Sequence, residues 1–159
     1  MKCDNMLRCG CGVAKKILCV LDALSPLSLL AIRLWVANVF YQSAVNKLPA
    51  GFLGVGQGNW DATLFLFEHE HPVPGLSPEV AAYVGTGVEF LAPIFLALGL
   101  GGRAAAVALL AMTVVIEFTY QHNAEHIIWA IFLGTILLQG PGKLSLDHLI
   151  RRKCMGSKA

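Results

Sequence analysis

Long unbroken runs of apolar residues, separated by short polar stretches, set the pattern of this chain. Four can be delimited, at about residues 27–48, 80–100, 104–120 and 126–139. A bilayer core about 30 Å thick takes roughly 20 helical residues to cross. The first three runs meet that length, and the fourth is expected to borrow flanking residues or to lie where the bilayer thins. None shows the two-residue alternation of a barrel strand, so helices are expected throughout. The fold expected is all-α: an integral membrane antiparallel four-helix bundle with a long outer loop between helices 1 and 2.

Composition agrees. The chain has 159 residues, 56% of them hydrophobic and only 14% charged, which describes one membrane domain rather than a soluble one. Lys2, Arg8, Lys15 and Lys16 precede the first run, Arg103 lies between the second and third, and Lys143, Arg151, Arg152, Lys153 and Lys158 follow the fourth. The loop after the first run instead holds Asp61, Glu68, Glu70 and Glu79. The positive-inside rule therefore puts both termini in the cytoplasm and the acidic loop outside. Residues 1–24 are expected to form a Cys-containing cytoplasmic tail, with Ser25-Pro26 as a turn into the first span, and residues 151–159 a basic cytoplasmic tail. Between them, residues 25–150 form the membrane domain.

The outer loop reads in two parts. "PAGFLGVGQG" is Gly-rich and suggests flexible chain, whereas "NWDATLFLFEHEH" suggests a short helix with Asn59 as N-cap and Asp61 in its first turn. Trp60, Phe65 and Phe67 suit interfacial depth, so the loop is expected to fold back over the mouth of the bundle.

Polar residues inside the apolar runs carry the candidate chemistry. Asn38, Gln42 and Asn46 share one stripe of the first helix, suited to interhelical hydrogen bonds. Arg33 lies on another line, with Ala37, Phe40, Ala44 and Lys47. Arg33 and Glu89 are too costly to leave unpaired at depth, so they are expected to face the interior and either pair or share a wet cavity. Gly85 and Thr86, one turn before Glu89, leave room for another helix.

The stretch "TVVIEFTYQHNAEHIIWAIFLG" brings Glu117, His122 and His126 towards one outer rim beside Trp129. Protonatable groups against apolar walls suit a quinone, whose carbonyls need donors and proton exchange. The same imidazoles suit a metal or haem iron, and a purely structural role for them stays open. In "EHEHPVP" the alternation of Glu68, His69, Glu70 and His71 suits an extended loop that clasps a divalent ion through His69 and His71, or else a solvated acidic loop. Cys9 and Cys11 form a thiolate pair open to copper or another soft metal, and all five cysteines fall in the tails assigned to the reducing cytoplasm. No Rossmann fingerprint or nucleophilic triad signature is present, so no nucleotide cofactor is expected, and no nucleic-acid partner.

"RLWVANVFYQSAVNKL", the acidic residue in "GTGVEFLAPIFLALGLGGRAAA", "HIIW" and the closing "GPGKLSLDHLI" together resemble the DoxX family over about residues 27–150. That resemblance implies a small multi-pass protein of a bacterial-type inner membrane, with Arg33, Lys47, Glu89, His126, Trp129, Gly140, Gly142, Ser145 and Asp147 at the family's recurrent positions. It also implies a setting in reduced-sulfur or quinol oxidation, beside a partner protein or redox complex. The function expected is a quinone-binding subunit in which Glu117, His122 and His126 exchange protons and Arg33, Lys47, Glu89 and Trp129 hold the quinone. The alternative is a non-enzymatic partner in copper, metal or oxidative stress handling. For "GPGKLSLDHLI" the residues read as architecture: the glycines end the fourth helix, Ser145 caps a short final helix, and Asp147 favours that helix's dipole.

Overall fold

The structure is a computed structural model describing residues 12–70, 72–73, 75–119 and 123–156. These residues form six α-helices: α1 (Gly12–Lys47), α2 (Trp60–His69), α3 (Pro78–Leu98), α4 (Gly102–Thr119), α5 (Ala124–Gln139) and α6 (Leu146–Gly156). A single 3-10 turn, Phe52–Gly54, interrupts the connection from α1 to α2. The described chain is all-helical, without strands. Three segments are long and apolar enough to cross a membrane, namely Lys16–Lys47, Pro78–Leu98 and Gly102–Thr119, while α5 is apolar but shorter.

The expected turn at Ser25-Pro26 is not formed, and α1 runs through it with Pro26 inside. A proline lacks the N–H that would bond the carbonyl four residues back. Here the Ser25 hydroxyl donates to that carbonyl, of Asp22, at 3.0 Å, and the Ser28 hydroxyl donates to Ser25 O at 2.8 Å. Residues 12–24 are therefore the opening turns of α1 rather than a separate element. At 36 residues α1 is about 54 Å long, well beyond a bilayer core.

α1 packs on α3, α3 on α4, α4 on α5 and α5 back on α1. Their common core is Val36, Ala37, Phe40, Ala92, Leu96, Ala105, Ala106, Leu109, Leu133 and Ile136. Alanines on α3 and α4 let those backbones approach closely, as helices sharing a lipid environment require. Edge-to-face contacts of Trp35 with Phe132 and of Phe40 with Trp129, at 5.5 and 5.3 Å between centroids, seat α1 on α5. The line of Arg33, Ala37, Phe40 and Ala44 is buried as the helical spacing requires. Asn38, Gln42 and Asn46 are exposed instead, on the outer face of α1, and among the described residues their stripe makes no bond to a neighbouring helix.

The connection from α1 to α3 is a lid. The glycine-rich stretch closes on itself through Ala50 N–Gly58 O and Gly51 N–Gly56 O, and on α1 through Gln57 N–Val45 O and Gly58 N–Leu48 O, rather than remaining open chain. The Asn59 side chain accepts from Asp61 N at 2.9 Å, the expected N-cap of α2. α2 then lies on α3 through a second cluster of Phe67, Ala81 and Ala82, with Trp60, Leu64 and Leu66 against it. A Cβ at Gly85 would sit 2.9 Å from the Phe67 ring, so the missing side chain there is what lets α2 come down.

The other end of the body is tied by charge. The buried Arg33 guanidinium donates to Pro141 O and, at 2.7 Å, to Leu144 O. Gly99, at φ +67°, ends α3 in the left-handed region that suits glycine, where a Cβ would meet Ser145 Cβ at 2.5 Å. Ser145 caps α6 through His148 N at 3.2 Å, as expected. Asp147, however, reaches across to α4, where its two oxygens accept from Gly101 N and Gly102 N at 2.8 and 3.0 Å.

Candidate functional site

Glu89 is 1% exposed, and a carboxylate so buried keeps its charge only beside a compensating partner. That partner is Lys47, the last residue of α1, whose Nζ lies 2.6 Å from both carboxylate oxygens. Arg33 and Glu89 both face inward, but of the two arrangements expected for them the mutual pairing does not occur. Arg33 answers to backbone carbonyls at the far end, and Lys47 reaches Glu89 because its long stem folds inward from the helix end. The Lys47 ammonium also lies 5.9 Å from the Phe67 ring centroid, which links the ion pair to the lid. Ser43 Oγ adds a long contact of 3.4 Å to Glu89.

A second acid–base pair joins α4 to α5. Asn123 caps α5, its side chain accepting from Glu125 N at 3.1 Å, and this sets His126 in the first turn. His126 Nδ1 lies 2.6 Å from Glu117 Oε2. In the neutral ring Nδ1–H donates to the carboxylate and Nε2 is left as the acceptor; in the protonated ring both nitrogens donate. The ring is buried and tilted against Trp129 at 4.9 Å between centroids.

Lys47, Glu89 and His126 border one cavity of about 450 Å³, in the range of small-molecule sites. Lys47, Glu89 and His126 supply its polar wall, and Met112, Trp129 and Phe67 are among its apolar residues. Glu117 stands behind His126 rather than on the wall. The cavity thus combines an apolar interior, an ion pair able to polarise an oxygen, and an imidazole hydrogen-bonded to a carboxylate.

The remaining candidates are placed elsewhere. Arg33 does not line this cavity. His69 lies in the last turn of α2, stacked on Phe65 at 4.2 Å, with Nδ1 3.2 Å from Phe65 O and 4.0 Å from Glu68. Glu68 and His69 are therefore helical, not part of an extended clasp. His71, His122, Cys9 and Cys11 lie outside the described residues. Among the described residues no three His, Cys, Asp or Glu side chains gather as a metal site. Met112 and Ser43 were not singled out from sequence, and Phe67 was named only as an interfacial aromatic. Phe67 alone had a signal, as an aromatic in the lid helix, while Met112 and Ser43 look like any other residues of a span.

The sequence model of the DoxX family matches residues 28–122. A Haemophilus influenzae protein described as uncharacterized is 29% identical over 140 residues, which cover 80% of this chain and 86% of that protein. No solved structure matches.

Proposed function

The chain belongs to the DoxX family of membrane proteins, and from that membership and the cavity we propose that it is a membrane subunit of quinone-linked redox metabolism that binds a quinone headgroup. In this reading α1, α3, α4 and α5 span the inner membrane as an antiparallel four-helix bundle. The Lys and Arg distribution then places both termini in the cytoplasm and α2 outside.

The observation that carries the proposal is the pairing of Glu117 with His126 at the wall of an apolar cavity. A quinone has a flat apolar ring, two carbonyl oxygens and a lipid tail. The ring matches the walls at Trp129 and Met112, and the oxygens require donors. Reduction of a quinone to quinol takes up two electrons and two protons. His126 donates or accepts a proton at Nε2, and Glu117 across the ring stabilises the imidazolium and holds the ring in place. Lys47, paired with Glu89, offers a second donor. The electrons come from a partner protein that handles the reduced substrate, a sulfur species or another donor.

Titration of the purified protein in nanodiscs with a short-chain quinone tests this. His126→Ala is expected to weaken binding by about tenfold or more, in line with the loss of one or two hydrogen bonds in an apolar site. Wild-type protein that binds no quinone, or variants that bind it unchanged, would refute the reading.

A further inference from the structure

The opposite end of the body holds a second cavity, of about 560 Å³, lined by residues from α1, the start of α4, the end of α5 and α6. Its chemistry differs from that of the first. Arg103, Lys143 and Arg151 bring three cations to its walls, with His148 beside them. The one carboxylate there, Asp147, already accepts from Gly101 N and Gly102 N. Arg103 has one long contact within the protein, to Leu138 O at 3.4 Å, which leaves most of its five donors unused. Arg33 fixes the floor from below by holding the Pro141 and Leu144 carbonyls. The result is a preset concavity with surplus positive charge and many free donors.

We propose that this cavity is a binding site for the phosphodiester headgroup of an anionic phospholipid. Phosphate is the group that matches a guanidinium and an ammonium converging on one hollow. A lipid rather than a free anion follows from what surrounds the hollow. Leu138, 81% exposed, adjoins Gln139 on the cavity wall, and the exposed Val107 lies one turn along α4 from Arg103. Both give acyl chains an apolar path directly from the headgroup. α6 continues the arrangement, with exposed Leu146, Leu149 and Ile150 on the helix that brings Arg151 to the cavity wall. Basic pockets between membrane helices are suited to such headgroups. The site is independent of the quinone reading, because it shares no residue with the first cavity.

The test is native mass spectrometry of the full chain titrated with phosphatidylglycerol, phosphatidylcholine and inorganic phosphate in separate arms. Phosphatidylglycerol is expected to bind about tenfold or more tighter than phosphatidylcholine, and the double variant Arg103→Gln/Lys143→Gln to lose roughly 20-fold of that affinity. The control Arg152→Gln/Lys153→Gln removes the same charge outside the cavity and is expected to change affinity by less than about twofold. Lys143→Gln alone, at an exposed position where folding is not at stake, is expected to cost about fivefold. Equal binding of the two lipids would overturn the proposal. So would equal losses in the two double variants, which would mean diffuse attraction, or no loss in Lys143→Gln. Displacement of phosphatidylglycerol by millimolar inorganic phosphate would make this a free-anion site and not a lipid site.

Discussion

Glu89 and Lys47 stand 42 positions apart in the chain and meet at 2.6 Å in the structure. An ion pair in apolar surroundings is costly to break from one side, because the survivor stays buried without compensation. Lys47→Met is therefore expected to destabilise the protein by about 3–5 kcal/mol, and Lys47→Met/Glu89→Gln to recover most of that loss. Denaturant unfolding in detergent, analysed as a double-mutant cycle, checks it; additive effects would mean that the two residues are not coupled. At Gly99 the left-handed backbone and the closeness of Ser145 act together. Gly99→Ala is expected to cost at least about 1–3 kcal/mol, visible as a lowered unfolding midpoint. Helical spacing put Arg33 and Lys47 on one line, and the cost of a charge at depth turned Arg33 and Glu89 inward. Their partners were not legible. Arg33 bonds two backbone carbonyls, which leave no mark in a sequence, and the reach of a lysine stem from a helix end is set by packing.

α2 shows what local chemistry can specify. Asn59 followed by Asp61 announces a helix start, and the structure forms that cap with the expected acceptor. Asn59→Ala is expected to destabilise α2 by about 1 kcal/mol, read as several-fold faster hydrogen exchange in α2 with α3 unchanged. If the amides of both helices changed alike, α2 would be no separate lid. Gly85 sets how closely this lid sits. Gly85→Leu is expected to push Phe67 away and weaken quinone binding at the cavity, by about tenfold for one lost apolar contact surface and a wetter site. Unchanged binding in a folded variant would place the ligand away from Phe67. α1 is the contrary case. Ser25-Pro26 reads as a turn by its residue types, yet two serine hydroxyls bond the carbonyls of the preceding turns and the helix continues. Pro26 in itself does not reveal whether its neighbours will supply that bond. The outer-facing stripe of Asn38, Gln42 and Asn46 was likewise visible as a stripe, but not which way it turns.

For the molecule as a whole, the apolar runs place α3, α4 and α5 within a few residues, because length and hydropathy are properties a chain carries locally, while α1 begins well before its run. A cavity is a property of packing, and what the sequence offered was its ingredients: Glu117 and His126 on facing helix ends, Trp129 one turn on, and an aromatic lid. The structure adds the Lys47–Glu89 ion pair and the wall that it shares with His126. What is proposed for this cavity stands or falls with a quinone occupying it. Photoaffinity labelling with an azido-quinone in nanodiscs, followed by peptide mapping, tests it most directly. Label is expected on the α4 and α5 peptides that contain Met112, His126 and Trp129 and on the Phe67 peptide of α2, all suppressed by excess unlabelled quinone. Label confined to lipid-facing residues such as Leu138 and Phe118, or insensitive to competitor, would contradict it.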